Sequence, residues 1–166
     1  MSRELLVFRH GKSDWGGNVA GDFDRPLAKR GRKAVERMGR WLHEQKLLPD
    51  RILCSPANRA KQTARCLCRE MSIPVETVSW REAIYEADVG TLLEMLAECD
   101  PNEARVMIVG HNPGLENLVA HLAGQAIPAE SQARAFPTAA LAHLAMPEDW
   151  TRLERACARL LVVVRP

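Results

Sequence analysis

No stretch of this sequence approaches the roughly 18 consecutive apolar residues that a membrane-spanning helix needs. The N-terminus has no long apolar core, so no secretory leader is expected. The cysteines are poorly spaced for a metal. Cys54, Cys66, Cys68, Cys99 and Cys157 are odd in number, and no Cys-x-x-Cys occurs. They read as small buried hydrophobes in a reduced, cytoplasmic chain. There is no Gly-x-Ser-x-Gly nucleophile elbow and no Gly-x-x-x-x-Gly-Lys-Ser/Thr phosphate loop. Lysine is absent after Lys61.

What is present is the balance of a globular domain. Apolar residues make up 46% and charged residues 27% of 166 positions. A chain of this size buries roughly 69% of its unfolded surface, enough for one core and little more. A single domain spanning 1–166 is therefore expected. The net charge is only +2, which is no nucleic-acid footprint, so neither nucleic acid nor membrane is an expected partner. The charge is uneven, however. Residues 1–83 hold 17 basic and 10 acidic groups, and residues 84–166 hold 6 and 11. Most of this reads as differing solvated helix faces, with some early arginines left to serve an anionic substrate.

The apolar pattern alternates between strands and helices. Leu5 to Phe8 reads as a buried strand that stops at Arg9-His10-Gly11, followed by a Gly- and Asp-rich loop to Pro26. Ala28 to about Gln45 is helical, with Val35, Met38, Trp41 and Leu42 on one face and Lys29, Lys33 and Arg37 on a solvated stripe. Ile52 to Cys54 is a second strand, 57–70 a helix, Val75 to Val78 a third strand and 89–98 a short helix. Val106 to Val109 is a strand ending at Gly110-His111, and Pro113 opens a helix to about Leu122. Ala139 to Met146 and residues 159–164 are the last strands. Continuous apolar strands alternating with helices predict an α/β three-layer sandwich around a mostly parallel sheet.

In such sheets the functional crevice lies beyond the carboxyl ends of the strands. Arg9 and His10 follow the first strand, and Ser55-Pro56 follows the second, with Arg59 one turn into its helix. Gly110, His111 and Asn112 follow the strand at 106–109. Two imidazoles without a nearby carboxylate pair are a poor zinc set. Two imidazoles with two guanidiniums suit a tetrahedral dianion, because the planar arginine fork matches phosphate oxygens. One neutral imidazole can attack phosphorus while the other groups hold the oxygens as charge builds. The helix beginning near Pro113 aims backbone N–H groups at the same edge, so Asn112 or its neighbours join the anion site.

These residues fall into three ordered motifs. Leu6-Val7-Phe8-Arg9-His10-Gly11-Lys12-Ser13 resembles the signature strand and loop of the histidine phosphatase superfamily. The run from Ser55 to Ala64 resembles its SPxxRAxQTA segment, and Val109-Gly110-His111-Asn112-Pro113 resembles its third motif, a strand ending in histidine. Asp24 to Gly31 resembles the RPL-x-x-x-G segment of the SixA-type phosphohistidine phosphatases, a short branch of that superfamily. That pattern usually has Thr or Ser at the position of Ala28. Losing the hydroxyl cap costs the helix about 1 kcal/mol.

The resemblance implies a phosphoglycerate mutase-like fold and a metal-free, cofactor-free phosphatase. It makes His10 the nucleophile, Arg9 and Arg59 the grip on the phosphoryl oxygens, and His111 the group that completes the pocket. Ser13, Arg25 and Asn112 become substrate-binding candidates, and Trp15 borders the pocket. The mutase-like L-x-E-x-x-x-G pattern matches Glu86 as general acid, with Glu82 and Asp88 as alternatives. An ester leaving group needs such an acid, worth typically 10²–10⁴-fold, whereas a phosphorylated imidazole leaves more readily.

The implied substrate is phosphohistidine on a protein. A small phosphate ester in a mutase-like or broad-specificity phosphatase is the alternative, and a non-catalytic phosphoprotein-binding module of the same fold is the third. With the core elements assigned, little chain remains to cap the site, so an open, shallow pocket is expected. His43 reads as a surface or boundary residue, His121 as a helix-end residue that favours the helix dipole, and His143 as structural.

Overall fold

The computed structural model describes residues 2–16, 21–129 and 134–166. Its strands are β1 (Arg3–Arg9), β2 (Arg51–Cys54), β3 (Val78–Trp80), β4 (Arg105–Gly110), β5 (Leu141–Met146) and β6 (Arg159–Val164). Its helices are α1 (Lys29–Glu44), α2 (Asn58–Met71), α3 (Val89–Ala97) and α4 (Gly114–Ala123). The six strands form one sheet in the order β3-β2-β4-β1-β5-β6. β1 to β4 run parallel, while β5 is antiparallel to both β1 and β6.

Side chains alternate across a strand, so β1 feeds two cores. Leu6 and Phe8 pack with Val35, Met38 and Leu42 of α1 and with Ala60, Ala64 and Leu67 of α2. Leu5 and Val7 point the other way, into a cluster with Leu92 and Leu96 of α3 and Leu115, Leu118 and Leu122 of α4. A central strand buried on both faces has to be apolar throughout, which is why Leu5 to Phe8 reads as a continuous run. Each such side chain contributes about 1.5–3 kcal/mol by leaving water. The layered α/β architecture expected from the apolar pattern is the one observed.

Three details differ from expectation. Val75–Thr77 is a 3₁₀ turn, closed by the Thr77 N–H on the Pro74 carbonyl at 3.1 Å, and the strand is Val78–Trp80. The valines favour a strand locally, but only from Val78 onward does the chain lie beside Ile52 and pair with it. β5 begins at Leu141 instead of Ala139. Ala139 takes a left-handed conformation (φ 63°), and its N–H bonds the carbonyls of Arg9 and His10. Pro113 caps α4 from outside its first turn.

The register sets the level of the site. Arg9 pairs with Gly110, and both Phe8 and Cys54 pair with Val109. Three neighbouring parallel strands therefore end together at one edge, each releasing its loop in the same direction.

Candidate active site

His10 is the first residue beyond β1, buried at 6% exposure. Its backbone N–H donates to the Gly110 carbonyl at 3.0 Å, which ties the nucleophile candidate to the end of β4. Its Nδ1 lies 2.7 Å from the Gly11 carbonyl. A carbonyl only accepts, so Nδ1 carries the proton and Nε2 keeps its lone pair. Burial drives the His10 pKa down to about 3, the Gly11 bond opposes this, and His111, Arg59 and Arg9 add repulsion.

Arg59 is buried in the first turn of α2 and holds its Nε 3.4 Å from His10 Nε2. The His111 ring stands 5.0 Å from the His10 ring, tilted by 54°. His111 Nε2 lies 2.8 Å from Ser55 Oγ. Ser55 Oγ also accepts the Ala57 N–H at 3.2 Å. Burial, followed by repulsion from Arg59, lowers the His111 pKa to about 4. Both imidazoles are neutral near pH 7. Arg9 donates Nη1 to the Phe136 carbonyl at 3.0 Å. Among the described residues, Arg9 Nε and His111 Nδ1 are buried without a hydrogen-bond partner.

The loop that follows His10 is pinned from below. The Lys12 carbonyl accepts the Ala28 N–H at 2.9 Å and crosses α1 at Gly31. A Cβ at Gly31 would sit 2.1 Å from that carbonyl oxygen, so only glycine admits the crossing. Thr63 and Gln62 of α2 complete the support. Thr63 Oγ1 accepts the Gly11 N–H at 3.1 Å, and Gln62 Oε1 accepts the Leu27 N–H at 2.8 Å.

The remaining expected residues take varied positions. Arg25 is buried, stacked 3.4 Å over the Trp15 ring and paired with Asp22 at 3.1 Å. Trp15 itself is 79% exposed. Ser13 is buried and its backbone bridges to Leu27. Asn112 donates to the Phe136 carbonyl at 3.0 Å and accepts the Glu116 N–H at 3.3 Å, so it braces the start of α4. Glu86 is exposed, with φ 57°. It lines an open cleft of about 920 Å³ together with Asp22, Arg59, Tyr85, His111 and Asn112. Asp88 lines it too, but its carboxylate caps α3 through the Thr91 N–H at 2.9 Å. Glu82 lies in a 3₁₀ turn, is exposed, and does not line the cleft.

Two cleft residues were not singled out by the sequence. Asp22 Oδ2 accepts the Tyr85 hydroxyl at 2.6 Å and Arg59 Nη2 at 3.0 Å. The Tyr85 bond, then Arg59 and Arg25, hold the Asp22 carboxyl below its usual range against some burial. Tyr85 also sets its ring edge-on to His111, with centroids 5.5 Å apart. Nothing in the spacing of Asp22 or Tyr85 marks them. Thr63 and Gln62 were visible within the SPxxRAxQTA segment, but without a role.

His43 meets the Met71 carbonyl at 3.1 Å, His121 meets the Leu153 carbonyl at 2.9 Å, and His143 meets Glu4. All three are held in structural contacts. Among the described residues, no three His, Cys, Asp or Glu side chains group to hold a metal ion, and no helix is long and apolar enough to cross a membrane.

A layered α/β sheet carrying paired neutral imidazoles and buried guanidiniums at its strand ends defines a class, and comparison with known proteins agrees. The model of the histidine phosphatase superfamily (branch 1) matches residues 5–103, and the chain belongs to that superfamily. It is a phosphatase, and its relatives place it beside SixA. It is 30% identical over 147 residues to the phosphohistidine phosphatase SixA of Escherichia coli, covering 88% of this chain and 87% of that one. An uncharacterised Mycobacterium tuberculosis protein is 34% identical over 157 residues, covering 92% and 96%. A structure of the protein histidine phosphatase SixA complexed with tungstate superposes with a TM-score of 0.78 at 26% identity, covering 96% and 95%. A candidate SixA from Agrobacterium tumefaciens superposes with a TM-score of 0.82 at 27% identity, covering 100% and 99%.

Proposed function

We propose that this phosphatase removes the phosphoryl group from phosphohistidine carried on a protein, through a covalent intermediate on His10 Nε2. The observation that carries the reading is the His10 imidazole itself. Its Nδ1 is committed to the Gly11 carbonyl, and its unprotonated Nε2 faces Arg59.

The chemistry follows from that arrangement. As Nε2 bonds to phosphorus, the ring gains positive charge, and the Gly11 carbonyl stabilises it through Nδ1–H. The bond from phosphorus to the substrate nitrogen breaks. With its other ring nitrogen protonated, the substrate imidazole departs neutral, with no acid needed at the leaving atom. Arg9 and Arg59 hold the oxygens as charge shifts among them. Ser55 Oγ has its own hydrogen to give to His111 Nε2, which leaves the His111 proton on Nδ1, free for a phosphoryl oxygen. Water then attacks phosphorus, phosphate leaves, and Nε2 regains its lone pair.

Two further observations favour a protein substrate. The cleft is open to solvent, with Glu86 and Asp88 exposed along it. SixA, to which the chain is similar, is named a phosphohistidine phosphatase. The second reading, a small phosphate ester, is favoured by Glu86 on the cleft wall, where it serves as the acid. The deciding experiment compares kcat/KM on a phosphohistidine protein and on a phosphomonoester, in wild type and Glu86→Gln. A higher wild-type kcat/KM on the phosphohistidine protein supports phosphohistidine as the preferred substrate, and a loss in Glu86→Gln confined to the ester supports Glu86 as an acid for esters. A wild-type preference for the ester, lost in Glu86→Gln, overturns the phosphohistidine reading. His10→Ala must abolish both activities in a folded protein, and phosphate must be trapped on His10 in wild type.

A further inference from the structure

Arg59 is aimed by another residue. A guanidinium is a rigid planar fork, so fixing two of its nitrogens fixes the direction of the third. In Arg59 both terminal nitrogens are taken by one residue. Nη1 donates to the Asp22 backbone carbonyl at 2.7 Å, and Nη2 to the Asp22 carboxylate at 3.0 Å. Each terminal nitrogen keeps a second hydrogen, and on the Nε edge Nε meets His10 Nε2 at 3.4 Å.

The same carboxylate gathers two more donors. Its Oδ2 also accepts the Tyr85 hydroxyl at 2.6 Å, and its Oδ1 pairs with Arg25 Nη2 at 3.1 Å. Arg25 and Arg59 are both buried like charges, 8% and 6% exposed at the side chain, and each finds its ion pair in Asp22, which is 46% exposed. Without an anion between them the two guanidiniums would repel, and Arg59 would lose the partner that holds its fork.

We infer that Asp22 is a positioning residue for phosphoryl transfer: it grips Arg59 by the terminal edge so that the Nε edge meets the phosphoryl group at His10. The inference rests on transfer at His10, but not on the identity of the leaving group. A carboxylate beside the site repels a dianion, so Asp22 weakens ground-state oxyanion binding while directing the arginine that acts in the transition state. Removing its charge therefore separates binding from turnover.

The test uses Asp22→Asn in the full chain, with p-nitrophenyl phosphate as substrate and tungstate as a non-reacting oxyanion. The expected result is a kcat at least ten-fold lower, a tungstate inhibition constant equal to or below that of wild type, and a Tm within a few degrees. Tyr85→Phe, which removes one donor from Asp22 but leaves both ion pairs, is expected to lower kcat two- to five-fold in the same direction. A kcat within two-fold of wild type in Asp22→Asn overturns the inference. So does a parallel loss of kcat, tungstate binding and Tm, which marks a merely structural residue. Should Asp22→Asn fail to fold, Tyr85→Phe decides: a kcat unchanged, or reduced only in step with tungstate binding, overturns it. Phosphate trapping on His10 in wild type reports on the nucleophile alone, so failure of that reading is seen separately.

Discussion

The Thr63 hydroxyl accepts the Gly11 N–H at 3.1 Å and donates to the Arg59 carbonyl one turn back at 2.7 Å. One side chain thus joins the residue whose carbonyl orients His10 to the residue whose guanidinium faces it. Thr63→Val keeps the shape but strands a buried N–H, which costs about 1–3 kcal/mol. Urea denaturation should show that loss, together with a lower kcat, while Thr63→Ser should keep both hydrogen bonds and most of the activity.

Gly31→Ala sets two effects against each other. Alanine favours a helix over glycine by about 1 kcal/mol. A Cβ there would meet the Lys12 carbonyl oxygen at 2.1 Å and the Lys12 nitrogen at 2.7 Å, both backbone atoms that cannot rotate away. The clash wins, because overpacking of this kind costs about 1–3 kcal/mol or more. The variant is expected to be less stable than wild type and slower, since the displaced loop begins at His10. A gain in stability would refute the crossing.

Ala28 offers the opposite case. It stands at the N-cap of α1 with φ −72° and ψ 158°, a capping backbone without a capping side chain. Ala28→Thr supplies the hydroxyl and is expected to raise stability by about 1 kcal/mol. Calorimetry checks this, with kcat expected to stay within two-fold.

The buried imidazoles predict an acid sensitivity of definite sign. Folding lowers His10 to about 3 and His111 to about 4, below the 6.5 of a free histidine. Between about pH 4 and 6.5 the unfolded chain therefore binds more protons, and stability rises with pH. The contribution is complete above pH 6.5 and is lost as pH falls, at a limiting slope of about 1.4 kcal/mol per pH unit for each histidine. His10→Ala removes one of the two. Its unfolding free energy should fall less steeply than that of wild type from pH 6.5 to 4, and parallel profiles would contradict a neutral buried His10.

Much of the site was legible because it follows strand ends. Arg9, His10, Arg59 and His111 sit at the end of, immediately after or one turn beyond apolar runs, and parallel register brings the strand ends at Arg9, Cys54 and Gly110 to within one residue of each other. The same logic failed for Val75, where strand propensity met a chain not yet beside its partner strand. It also left the acids open. Asp88 carries a carboxylate in the right stretch, yet it is occupied in capping α3 through the Thr91 N–H.

The sequence by itself determined the layered α/β fold, the superfamily resemblance and the candidate residues at the strand-end edge. Each depends on local apolar period and on residues next to one another in the chain. The tertiary structure alone decided which nitrogen of His10 is free, that Thr63 holds the Gly11 loop, and that Asp22 holds Arg59 from 37 positions away. Those contacts join loops distant in sequence. No periodicity records them, because a hydrogen bond needs only that two groups arrive at the same place.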